Sequence, residues 1–233
     1  MSIVPAENPT ETESQFPARV GARQSSVPPS ERLRKPSFLF FSILSALVLV
    51  ADVGSKAWAE ITINRLTSIE RSIVLVKDSL SIVLAYNRGG AWGLLAGATD
   101  MIRRPFFLVV SLIAIGFIVS LYRKVQNGQW ALRWGLPLVL GGALGNLSDR
   151  VARVGVVDFI DYQAKWVEVM NRFIARFVKE WVITNHWPTF NVADIAICIG
   201  VGLMALDVLF ARRRLAAHEG PLAPVSIHPG RAS

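Results

Sequence analysis

The sequence predicts an all-α membrane protein. It should have four transmembrane helices, a small extracytoplasmic β-hairpin or cradle, and an amphipathic surface helix. Three observations carry that expectation. Of the 233 residues, 52% are hydrophobic and only 18% charged, whereas soluble domains carry roughly a quarter charged residues. The apolar residues gather into four runs, each close to the ~20 residues that cross a bilayer. The positive residues behind the formal charge of +8 lie at the ends of those runs. They form no stripe interleaved with aromatics, which argues against a nucleic-acid partner.

Residues 1–36 are rich in Pro, Ser, Glu and Arg without a hydrophobic period, and are expected to form a disordered cytoplasmic tail. The first span is SFLFFSILSALVLVADVGSKAWAE (37–60). Its basic flank and Ala57-Trp58-Ala59 imitate a cleavable signal peptide, but the long preceding tail and the polar Asp52 and Lys56 favour a retained helix. In the next loop, RSIVLVKDSLSIVLAYN (71–87) has β-branched runs on either side of Lys77-Asp78 and reads as a hairpin at the membrane surface. The second span, 105–122, is apolar throughout. The third, 130–147, is weaker, with Arg133 near its start and Pro137 as a candidate kink. Residues 163–181 form the expected amphipathic helix. Trp166, Val167, Met170, Phe173, Ile174, Phe177, Val178 and Trp181 fall on one face, which can lie on the bilayer, cap the site or pack on the bundle. The fourth span is 190–210, and residues 213–233 read as a second cytoplasmic tail after a membrane domain of 37–212.

The basic tails and the basic 123–129 turn orient the bundle with both termini inside, so loops 62–104 and 148–189 face outward. Arg103 and Arg104 run against that count, softened by Asp100. The lone Cys198, between Ile197 and Ile199, excludes a disulfide framework and a cysteine zinc cluster, and reads as a small apolar helix residue.

This topology brings polar groups to one level at the outer edge. Asn146, Asp149 and Arg150 share a helix face, Asp158 follows them, Asn191 and Asp194 are three apart, and Asp52 lies late in the first span. Ionisable groups in a membrane are costly and point to function. The alternative for Asp52, Lys56, Asp149 and Arg150 is a set of ion pairs that hold helices in register. Asp158 and Asp194 have no second basic residue nearby to pair with both. Two carboxylates that approach closely cannot both ionise easily, so they share a proton. One can then take a proton from water while the other protonates or hydrogen-bonds a carbonyl. A metal site of His186 with Asp158 and Asp194 is a thin alternative, and adjacent Ser55 and Lys56 point in different directions on a helix. The Gly141/Gly145 pair reads as a close-packing feature.

DVGSK (52–56), NRGGAWG (87–93), GGALGNLSDRVARVGVVDFID (141–161) and FNVADIAI (190–197) resemble, in order, the motifs of the lipoprotein signal peptidases, or signal peptidase II. The resemblance covers residues 37–212. It implies a monomeric four-helix aspartic endopeptidase of the bacterial cytoplasmic membrane, without cofactor or metal. Its substrates would be diacylglyceryl-modified prolipoproteins embedded in membrane lipid, cut just before the lipidated cysteine. It also implies Asp158 and Asp194 as the catalytic dyad. Asp52, Lys56, Asn87, Gly89, Asn146, Asp149, Arg150 and Asn191 would order the site and bind substrate. This chain departs from the family pattern in its longer first tail, in Gly90 and Trp92, and in the amphipathic stretch between the two aspartates. A proton- or ion-coupled carrier using Asp52 and Asp194 is the rival from another class, opposed by the absence of a second acidic cluster across the membrane. An inactive homologue is the third reading, opposed by intact Asp158 and Asp194.

Overall fold

The structure is a computed structural model describing residues 37–66, 71–89, 95, 97–126, 128–153, 155–178 and 181–218. The expected tail at 1–36, Gly90 and Trp92 lie outside the described residues. So do Lys179, Glu180 and residues 219–233. Helix α1 (Phe38–Asn64) starts where the Ser37 hydroxyl accepts the N–H of Phe40, partnering one of the amides that a helix start leaves open. Helix α2 spans Asp100–Tyr122, α3 Trp130–Ala152 and α5 Val192–His218. Near the α1 start, Tyr122 stacks on Phe41 at 4.1 Å and its hydroxyl donates to the Ser37 carbonyl. These two rings join Ile118, Leu136 and Leu140 in one buried cluster.

Helices α1, α2 and the Val192–Leu209 part of α5 are long and apolar enough to cross a bilayer. Helix α3 falls short of that, although the sequence predicts a span there. The reason is its position. It packs against α1, α2 and α5, so the others shield it from lipid and its surface is built for contact instead. Small residues make that contact possible. A Cβ on Gly141 would lie 2.5 Å from Val48 Cβ, and one on Gly142 would lie 2.5 Å from the Ala193 carbonyl oxygen. Gly142→Ala is therefore expected to push back the start of α5 and cost ~1–3 kcal/mol. A lower melting temperature in detergent, with reduced activity, would register it.

The expected hairpin is present as β1 (Ile73–Val76) and β2 (Leu80–Asn87), turned by Asp78 at φ 58°, a left-handed conformation that Asp tolerates. A third strand was not expected. VVDFID continues as β3 (Val156–Tyr162), antiparallel to β2 with Ala85 opposite Asp158 and Asn87 opposite Val156. Ile82 and Phe159 pack on Ala59 and Ile63, which seats the sheet on the C-terminal part of α1. Beyond β3 the segment 185–190 runs back antiparallel along it, bridging Gln163 to His186 and Ile160 to Phe190.

Of the stretch 163–181, helix α4 covers Lys165–Ile174 and is followed by turns. Val167 of the expected apolar face is buried, whereas Trp166, Phe173 and Phe177 are exposed. Polar Asn171 is buried too, because its amide donates to the Thr184 carbonyl at 2.7 Å and accepts the Trp181 indole N–H at 3.0 Å.

Candidate active site

FNVAD forms the start of α5, and its polar residues are there first as a helix cap. The Asn191 side-chain oxygen accepts the Asp194 N–H at 3.0 Å, and Asp194 Oδ2 accepts the Asn191 N–H at 3.2 Å. That reciprocal pattern is a capping box. Asp52 of α1 adds a third cap, accepting the Ala193 N–H at 2.9 Å. The position of Asp194 is thereby fixed by the amides of its own helix end.

Lys56 anchors the other side. Its ammonium meets Asp52 Oδ2 at 2.7 Å, Asp149 Oδ2 at 2.9 Å and Asn146 Oδ1 at 3.0 Å, so its three N–H groups have three acceptors in a fully buried position. Asp149 accepts the Val157 N–H at 3.1 Å, pinning β3 one residue before Asp158. It also meets Arg153 at 3.2 Å, and Arg153 in turn ion-pairs with Glu60. The ion-pair alternative for Asp52, Lys56 and Asp149 is thus realised, and the same cluster positions the neighbours of both aspartates. Gly145 belongs to this cluster by what it lacks, since a Cβ there would run into the Asp52 carboxylate.

Asp158 and Asp194 are joined through amides. Asn191 Nδ2 donates to Asp158 Oδ1 at 2.7 Å and lies 3.2 Å from both the Val157 carbonyl and Asn146 Oδ1. Asn146 Nδ2 donates to Asp194 Oδ1 at 2.9 Å. Asn191 is fully buried and Asp158 nearly so, whereas Asp194 is half-buried. Burial and then the adjacent Asp194 charge raise the Asp158 pKa from 3.8 to about 6, opposed by hydrogen bonds from Asn87 and Asn191. Gly89 donates its N–H to Asn87 Oδ1, which orients the Asn87 side chain.

Both carboxylates open onto a cavity of about 1550 Å³. Its polar floor includes Asn87, Asn146 and Arg150, and its wall continues down α5 through Ile195, Cys198 and Ile199. Cys198, read as a small apolar helix residue, is exposed on that wall. The Arg150 guanidinium donates to the Asn146 carbonyl at 3.3 Å and lies over the Phe107 ring at 5.0 Å. His186, weighed as a companion of Asp158 and Asp194, instead meets Asp161 at 2.8 Å. Sequence reading missed that pair, as it missed Asn171 and the Arg153–Glu60 link. The i, i+4 spacing of Asp149 and Arg153 signalled only the contact between those two, and nothing local signalled Glu60.

The arrangement sets two acids at the wall of one cavity, with the Asp158 pKa raised to about 6, a setting that acid–base cleavage of an amide could use. The chain matches the family described as Signal peptidase (SPase) II across residues 44–210. It is 38% identical over 180 residues to the lipoprotein signal peptidase of Geobacter metallireducens, covering 77% of this chain and 96% of that one. The lipoprotein signal peptidase of Geobacter sulfurreducens is 37% identical over 182 residues, covering 78% and 99%. Two solved bacterial membrane enzymes, determined by the in meso method at 2.3 Å and 1.9 Å resolution, share the fold. Their TM-scores are 0.56 and 0.54, at 25% and 27% identity, over 81% and 75% of this chain and 96% of each of theirs.

Proposed function

The chain belongs to the signal peptidase II family, and from that footing we propose that it removes signal peptides from diacylglyceryl-modified prolipoproteins, as an aspartic endopeptidase cutting just before the lipidated cysteine. The observation that carries the aspartic reading is the Asn191 bridge between Asp158 and Asp194 at the wall of one cavity. Asp158 keeps the shared proton and gives it to the scissile carbonyl oxygen. Asp194, whose two oxygens accept N–H groups from Asn146 and Asn191, takes a proton from the attacking water. The tetrahedral intermediate collapses as the amine leaves with a proton from the dyad. Arg150 and Asn87, on the cavity floor, hold the substrate backbone. The apolar α5 wall takes lipid and signal helix.

In the same proposal α3 is a fourth span, both termini are cytoplasmic, and the dyad works at the extracytoplasmic side. The peptidase domain is 37–212, with tails at 1–36 and 213–233, and the protein acts as a monomer. Helix α4 lies at the outer surface, where its exposed Trp166, Val169 and Phe173 suit the interface.

The pH dependence follows in sign. Asp158 holds its proton below about pH 6 and loses it above. With Asp158 as the acid, kcat/KM should fall as pH rises through that value, and the kcat limb should lie higher because bound lipopeptide displaces water. A rate rising steeply across pH 6–8 in both parameters would reverse the assignment. The function itself is tested by incubating the purified protein with a diacylglyceryl-modified prolipoprotein and reading the new N-terminus by mass spectrometry. A product beginning with the lipidated cysteine is expected. Cleavage elsewhere, or none by a folded protein, would refute the reading.

A further inference from the structure

Four arginines meet where α2 begins: Arg88 just after β2, Arg103 and Arg104 in the first turns of α2, and Arg150 at the end of α3. They line one cleft with Asn87, Phe107 and Gly155, and no acid lines it. The nearby Asp100 ion-pairs with Arg103 and also feels the charges of Arg88 and Arg104. Arg150 also feels Asp194, Asp158 and Asp149, so the positive excess at the cleft lies with Arg88 and Arg104. Arg103 is only 8% exposed, and Asp100 meets its charge. Basic residues on the outward side also defy the orientation rule that the other charges obey, so they need a local reason.

The guanidiniums are held in place. Arg104 donates to the Arg153 carbonyl at 2.8 Å, while Arg150 is fixed by the Asn146 carbonyl and the Phe107 ring. A guanidinium carries five N–H groups in a rigid fork, so these bonds orient Arg104 and Arg150 without exhausting them. The cleft holds about 10 Å³ of free space, room for a single oxygen. Exposed Arg88 and Arg104 stand at its mouth. From there Ile102, Phe106, Val109 and Ile113 form an exposed apolar stripe down α2 at helical spacing.

We propose that this cleft is a phosphate site occupied by the headgroup of an anionic outer-leaflet phospholipid. One phosphate oxygen sits in that space, the others meet Arg88 and Arg104, and the acyl chains follow the α2 stripe. The site rests on the proposed topology for its outer-leaflet placement, and Asn87, Arg88, Arg103 and Arg150 also line the cavity of the two aspartates; Arg104 lines the cleft but not that cavity, so its substitution reads the lipid site apart from cleavage.

The test is native mass spectrometry of the detergent-purified full chain, offered equal amounts of dioleoyl phosphatidylglycerol and dioleoyl phosphatidylcholine. Preferential retention of phosphatidylglycerol is expected. Arg88→Gln and Arg104→Gln should each weaken it about fivefold, the worth of one basic side chain at a lipid surface. Equal retention of the two lipids, or a preference unmoved by both substitutions, would overturn the site. Displacement of phosphatidylglycerol by millimolar inorganic phosphate would assign the cleft to the free ion and overturn the lipid occupant. Should a variant fail to fold, the wild-type preference and its loss in high salt decide the question alone.

Discussion

Asp158→Asn and Asp194→Asn are each expected to slow signal-peptide release by roughly 10³- to 10⁴-fold, since in the proposed mechanism each removes one of two proton-handling groups. They should differ in stability, which separates a catalytic from a structural loss. The folded-state pKa of Asp158 is raised to about 6 from 3.8. Stability from its protonation is fully present below about pH 4 and is lost as pH rises through 6. The gap corresponds to about 3 kcal/mol of strain on the ionised form. Asp158→Asn removes that charge while leaving an acceptor for Asn191, so the variant should melt higher than wild type at pH 8 and lose its advantage by pH 4–5. Asp194→Asn weakens a cap, at a cost of ~1 kcal/mol. Melting curves at pH 5 and pH 8 beside cleavage assays decide it. An active Asp158→Asn enzyme would sink the dyad.

Lys56→Met is the second large effect, this time on the fold. The substitution leaves Asp52 and Asp149 buried with their common cation gone, and breaking buried pairs in this way costs ~3–5 kcal/mol. Both carboxylates also hold backbone amides, at Ala193 and Val157, so the damage runs to the residues adjoining Asp194 and Asp158. Adding Asp52→Asn and Asp149→Asn should restore much of the melting temperature, because amides can keep those two acceptor contacts without stranded charge. A Lys56→Met protein as stable as wild type would show that the cluster is solvated or already neutral.

Much of this was readable from spacing. Asn191 and Asp194 at i, i+3, and Asn146, Asp149 and Arg150 on one face, specify a shared level wherever the helices stand. The hairpin was readable because β1 and β2 are joined by a short turn. Strand β3 was not, since its partner lies some 70 residues earlier in the chain and its continuous apolar run, broken by acids, carries no period. Helix α3 was read by the hydropathy of a lipid-facing span, although its neighbours and its glycines exempt it from that need. Asn171 was invisible for a related reason: its partners, Thr184 and Trp181, are set by a return of the chain that no local pattern encodes.

The Asn191 bridge has a mechanical consequence. Asp158 sits on a strand and Asp194 on a helix, two bodies that thermal motion would move independently. Between them lies one planar amide, its nitrogen on the first and its oxygen on the backbone of the second. An amide has fixed width, so it acts as a gauge block, holding two facing parts to a tolerance that side-chain packing alone would not guarantee. Lengthening it by one methylene in Asn191→Gln keeps every polar atom and changes only the gauge.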